Sequence, residues 1–209
     1  MKEFRNIDDF TTDYVAQNSD ACQFVEQYPR LGIKTLLAFS ENYYSGKKSK
    51  GAKFSERVFS YWLYKEIEHL NPLVRTQDNL SFILPLEEKP KINKPVDFSF
   101  VCQQTKTIVE FKTNIDMVEK DLYKFYLYQK FYKSDEPLRK ILFVWEARNN
   151  FYNSDRFESQ YASLLKLAVQ DGAIDAYIYL PIDDTPINED FLNAELKKLN
   201  HTLLRVNKQ

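Results

Sequence analysis

The sequence predicts an α/β fold: a mixed central β-sheet flanked by α-helices, preceded by a helical N-terminal segment over residues 1–45. Three observations predict it. Period-2 alternation of Val, Ile, Phe and Thr marks residues 95–102 and 107–113 as two strands joined by a polar turn at 103–106. Directly after Lys112 the hydrophobic period becomes helical, in the aromatic-rich stretch 116–133. Two more apolar runs, 140–146 and 173–181, are then separated by a second helical stretch, 157–170. Strands alternating with helices suit a sheet covered by helices. No repeat, linker or low-complexity segment divides the 209 residues, so a single domain over 1–209 is expected.

In the N-terminal segment Phe4, Ile7, Phe10 and Tyr14 recur at helical spacing, followed by Cys22 and Val25, then Leu31, Leu36, Leu37 and Phe39. Breaks fall near 18–20 and 28–29. These helices serve packing or a dimerisation arm. Residues 45–53 read as a loop of Gly, Ser and Lys. It fails as a phosphate-binding P-loop, because Ala52 and Lys53 stand where Lys and Ser or Thr are required. Two readings stay open: Lys47, Lys48, Lys50 and Lys53 touch a DNA backbone, or the segment is a solvated connection.

Residues 55–70 predict a helix with Ser55 as N-cap. Glu56 falls in line with Phe59, Leu63, Glu66 and Leu70, an acid on an apolar stripe. It is either a site residue or an acid favoured by the helix N-terminus. Residues 71–94 read as irregular around one strand at 80–84, with Lys89, Lys91 and Lys94 as a second basic cluster leading into the hairpin.

With a two- or four-residue loop, Asp97 stands opposite Lys112, Ser99 opposite Glu110 and Val101 opposite Ile108. Asp97, Glu110 and Lys112 then share one face, while Phe98, Phe100, Cys102, Val109 and Phe111 share the other. Opposed side chains lie roughly 5 Å apart at Cβ. Paired carboxylates suit Mg²⁺, which takes oxygen ligands and keeps waters. Such a cation acidifies water and stabilises charge on a phosphate. The Phe111 carbonyl is a further ligand candidate, and Lys112 is placed to orient the water or stabilise the transition state.

Downstream, Lys120, Lys124 and Lys130 form a third basic cluster among Tyr123, Phe125, Tyr126, Tyr128, Phe131 and Tyr132. The aromatics are core, or a surface for stacking bases. Gly172 caps the helix over 157–170, and an acidic loop at 181–190, a helix at 190–200 and an edge strand at 202–206 complete the chain.

A formal net charge of −1 confines any nucleic-acid footprint to local clusters. Cys22 and Cys102 suit two reduced thiols in a cytoplasmic protein, with a disulfide between them as the alternative, and His69 and His201 are too few and too far apart for a zinc motif. Neither a membrane span nor a signal peptide is expected.

Pro95-Val-Asp97, a dozen residues, then Glu110-Phe-Lys112 resembles the signature of the PD-(D/E)XK nuclease superfamily, home of many restriction endonucleases. The Val between Pro95 and Asp97 is a departure, of a kind that superfamily allows. The resemblance covers roughly residues 55–180. It implies a restriction endonuclease-like core and a Mg²⁺-dependent DNA endonuclease, with Mn²⁺ as substitute. Asp97 and Glu110 would hold the metal, Lys112 would act on the water, and Glu56 matches a further acid that many members carry on an earlier helix. Two-strand cutting by so small a chain implies a homodimer. A structure-specific nuclease such as a junction resolvase shares the same site, and a non-catalytic nucleic-acid or protein interaction module is the remaining alternative.

Overall fold

The computed structural model describes residues 6–28, 33, 36–37, 40, 48–85, 91–113, 118–133, 136–145 and 161–180. In chain order the elements are α1 (Ile7–Gln17), α2 (Ser19–Gln27), α3 (Lys48–Ile67) with a 3₁₀ turn Glu68–Leu70, β1 (Leu73–Ile83), β2 (Lys91–Cys102), β3 (Thr105–Lys112), α4 (Val118–Phe131), β4 (Leu138–Trp145), α5 (Ala162–Gln170) and β5 (Ala176–Leu180). Lys47, Lys89 and the three segments expected after residue 181 lie outside the described residues.

The five strands form one mixed sheet in the order β1-β2-β3-β4-β5. The first three make an antiparallel meander; β4 and β5 add in parallel to β3. Both β3 and β4 are buried along their length, as expected of strands covered on two faces. One face packs Phe98, Phe100, Val109, Phe111, Ile141, Phe143 and Ile178 against α1, α2 and α3. The other packs Leu80, Val96, Ile108, Leu142 and Val144 against α4 and α5. Phe59 of α3 anchors the first face: its ring stacks on Phe111 at 4.3 Å and meets Phe143 at 4.6 Å.

The expected break after α1 is present, and Asn18 makes it. Its backbone N–H and its Nδ2 both donate to the Tyr14 carbonyl, at 2.8 and 3.1 Å, which closes the helix. Phe10, Tyr14, Cys22 and Phe24 are core, so these helices pack on the sheet. Both cysteines are free thiols, and Cys102 packs against the same cluster, the face expected for it.

Four expectations need correction. Residues 48–53 are not a loop: Lys48, Lys50 and Lys53 belong to α3, Lys48–Ile67. The apolar stripe of that helix starts at Phe54, and a single Gly costs only about 1 kcal/mol there, too little to stop it. Ser55 is therefore no N-cap; its buried hydroxyl lies 2.8 Å from the Ser40 hydroxyl. Leu73 to Ile83 is one strand paired with β2, so Lys91 and Lys94 lie in β2 rather than in a loop.

The hairpin register also differs. Cys102 pairs with Thr105, Ser99 with Ile108 and Val101 with Lys106. The turn is the two residues Gln103 and Gln104, both left-handed at φ 49° and 64°. Two successive positive φ values mark the tight turn whose twist matches that of paired strands, and Asn-Gly, the usual signal, is absent. The slip is by two residues along one strand, and side chains alternate with period two, so the expected faces survive it.

Candidate active site

The site begins where the meander comes apart. Pairing of β2 with β3 runs from Cys102–Thr105 to Phe98–Val109. Beyond that, β2 continues along β1 alone, while Glu110, Phe111 and Lys112 pair with β4. At the divergence the Phe111 N–H, which would otherwise seek a strand partner, donates to Asp97 Oδ2 at 2.8 Å. Asp97 is also where β2 changes faces: Val96 belongs to the α4 side and Phe98 to the α3 side. Residues two apart on a regular strand share a face, so the chain reverses at Asp97. The Gln77–Asp97 position correspondingly drops out of the β1–β2 ladder.

Around this break the structure brings together Asp97, Glu110 and Lys112. Lys112 Nζ lies 3.8 Å from Asp97 Oδ2 and 3.5 Å from Glu110 Oε2. Two residues of α4 join them: Asp121, not singled out from sequence, and Lys124, expected only as part of a basic cluster. Lys112 Nζ is 3.1 Å from Asp121 Oδ2, and Lys124 Nζ hydrogen-bonds Glu110 Oε1. Lys124 also lies 3.5 Å from Asp121 Oδ1 and donates to the Pro95 carbonyl at 3.1 Å. Three carboxylates and two ammoniums thus share one nearly enclosed space between β3 and α4.

Burial sets the electrostatics. Glu110 is only 1% exposed. Its pKa is pushed up from 4.5 to about 8, first by burial and then by the Asp97 carboxylate, with Asp121 adding to both and the two lysines opposing. For Lys112, burial favours the neutral amine, but Asp97, Asp121 and Glu110 together outweigh it and raise its pKa. It stays an ammonium. Asp121 Oδ2 is buried and makes no hydrogen bond; its approach to Lys112 is an ion pair without hydrogen-bond geometry.

The donors suit a hard cation. Asp97 and Glu110 repel each other across the break, and the Phe111 N–H holds one Asp97 oxygen there. Two carboxylates with a peptide oxygen fit Mg²⁺ or Mn²⁺ keeping several waters, rather than an all-protein cage. Among the described residues, no group of three or more His, Cys, Asp and Glu is placed to hold a metal ion, so the candidate set is the Asp97 and Glu110 pair.

Glu56 stands apart from this group. Its helix packs on the opposite face of the sheet, and its charge acts on Tyr14 of α1. Lys124, expected in the third basic cluster with Lys120 and Lys130, is tied to Glu110, its side chain 12% exposed. Lys94 is exposed on β2 three residues before Asp97, and its carbonyl accepts from the Tyr128 hydroxyl at 2.7 Å. Asp121 and Lys124 left a trace in the sequence. Val118, Leu122, Phe125 and Tyr128 form the buried stripe of α4, and Asp121 falls within it. The reasoning that singled out Glu56, an acid on an apolar stripe, applies with more force to Asp121.

No family model, curated protein or solved structure gives a significant match to this chain. Among the described residues no helix is long and apolar enough to cross a membrane.

Proposed function

We propose that this chain is a divalent-metal-dependent deoxyribonuclease of the PD-(D/E)XK type, acting as a restriction endonuclease-like homodimer. The observation that carries the reading is the convergence of Asp97, Glu110 and Lys112 where β2 leaves β3. The arrangement of a helix, a three-stranded meander, a helix and a parallel strand supports it, since that is the core the resemblance implies. When bound, Mg²⁺ supplies Lewis acidity to the scissile phosphate.

The chain's own groups do the rest. Asp97 and Glu110 hold the cation, and Asp97 keeps its aim because Phe111 N–H fixes one carboxylate oxygen. Lys112 remains charged and stands beside both carboxylates, where it orients the attacking water and offsets negative charge building on the phosphate. Phe111 on Phe59 locks the strand that carries Glu110 and Lys112. Exposed Lys94 is placed to meet a DNA phosphate beside the site.

A second reading rests on a specific observation. The two ammoniums already meet all three carboxylates, so the group can persist as an internal ion network in a non-catalytic interaction module. Calorimetric titration with Mg²⁺ and Mn²⁺ separates the two. Binding that disappears in Asp97→Asn supports the nuclease, and no heat in the wild type supports the module. A junction resolvase would share the metal result and differ in the DNA shape it cuts.

A further inference from the structure

Glu110 is the site carboxylate with least freedom. Lys124 hydrogen-bonds Oε1, Lys112 approaches Oε2 at 3.5 Å, and the group is 1% exposed. Magnesium binds oxygen at about 2.0–2.1 Å and tolerates little departure from octahedral geometry. An ammonium seated on the same oxygen blocks that approach by occupancy and by like charge. Lys124 is held by more than Glu110, however. Asp121 Oδ1 is 3.5 Å from its nitrogen, and the Pro95 carbonyl accepts from it at 3.1 Å. If it leaves Glu110, it has a second seat prepared. Asp121 is 6% exposed and Lys112 holds its Oδ2 at 3.1 Å, which leaves Oδ1 facing Lys124, so a small shift of the ammonium tightens an ion pair already present.

We propose that Lys124 is a latch on the metal site: it sits on Glu110 in the metal-free protein and moves towards Asp121 and the solvent when a divalent cation takes Glu110. This rests on the metal-dependent reading above. It makes Lys124 and Asp121 positioning residues, not ligands. It also explains why a lysine stem crosses from α4 to β3, where an apolar side chain would continue the stripe formed by Leu122 and Phe125. The latch stops the carboxylates from repelling one another while the site is empty, and couples metal entry to a local movement of α4 against β3.

The test uses the unmodified protein. Lysines are acetylated with a limiting N-hydroxysuccinimide ester, with and without Mg²⁺, and each site is quantified by peptide mass spectrometry. Mg²⁺ occupancy is fixed beforehand by calorimetry. Lys124 labelling should rise severalfold with Mg²⁺, while Lys106, buried on Asp78, stays unreactive in both conditions. In Asp97→Asn the Mg²⁺ effect on Lys124 should vanish. Mg²⁺ binding by calorimetry with Lys124 labelling unchanged or reduced overturns the latch and leaves the metal site standing. Absence of Mg²⁺ binding in the wild type overturns both.

Discussion

Glu110 of β3 and Lys124 of α4 are hydrogen-bonded across the space between sheet and helix, and that bond ties the candidate site to the packing of the second layer. Because Glu110 is also next to Asp97 and Asp121, its charge is contested, and three predictions follow from how the cluster balances.

Stability should fall as pH rises through the window set by Glu110. Its pKa is 4.5 when unfolded and about 8 when folded. Between those values the unfolded chain gives up a proton that the folded chain keeps, so raising the pH favours unfolding. Above about 8 both states are ionised and the trend from this group ends. Urea midpoints at pH 5.5, 7 and 8.5 in EDTA should decline for the wild type, with a clearly flatter trend in Glu110→Gln. Parallel slopes in the two proteins would remove Glu110 as the cause.

Asp97 should separate folding from metal binding. Asp97→Ala leaves the Phe111 N–H without its acceptor, at a cost of about 1–3 kcal/mol. Asp97→Asn keeps an acceptor oxygen and should cost less, yet both should lose Mg²⁺ affinity. Denaturant unfolding paired with calorimetry reads the two effects independently, and an Asn variant that binds Mg²⁺ like the wild type would take Asp97 out of the ligand set.

Lys112→Ala should destabilise the fold as well as the chemistry. Its ammonium meets three carboxylates and its side chain is 22% exposed, so it is no solvated cross-strand pair. Loss of a fully buried partner costs about 3–5 kcal/mol, and partial exposure brings the expectation to about 1–3 kcal/mol. Lys112→Arg should recover most of that stability. An alanine variant as stable as the wild type would mean the three carboxylates do not depend on it.

Asp78 provides a control away from the site. It is buried and takes Arg75 at 2.7 Å, Lys106 at 2.7 Å and Ser99 at 3.0 Å. Asp78→Ala removes the buried carboxylate that both cations share and should cost about 3–5 kcal/mol, with Mg²⁺ affinity per folded molecule unchanged. A loss under about 1 kcal/mol would mean that water reaches this network.

Much of the arrangement is legible in the sequence, and the parts that are not have identifiable reasons. Alternation along 95–113 announced the hairpin and the shared face of Asp97, Glu110 and Lys112, because a two-residue slip conserves faces. The register itself was hidden, since Gln103-Gln104 adopts left-handed angles without the Asn or Gly that advertises them. The face reversal at Asp97 was hidden too: it arises from β2 leaving β3 for β1, a tertiary event. Lys48 and Lys50 looked like a loop by composition, but Phe54 and Val58 give that helix a face to bury, and packing overrode propensity. Lys124 reads as one of a basic cluster with Lys120 and Lys130; only the approach of α4 to β3 turns it inward.

The central claim is tested most directly by single-turnover cleavage of supercoiled plasmid and genomic DNA, in Mg²⁺ and then Mn²⁺, by the wild type and by Lys112→Arg. Arginine keeps the charge balance of the cluster but presents a broad planar fork in place of a compact ammonium. The account predicts metal-dependent cutting by the wild type, abolished by EDTA, and a loss of about 100- to 1000-fold in the arginine variant at near-normal stability. Equal cutting by the variant, or no cutting by the wild type on any DNA with either metal, would contradict it.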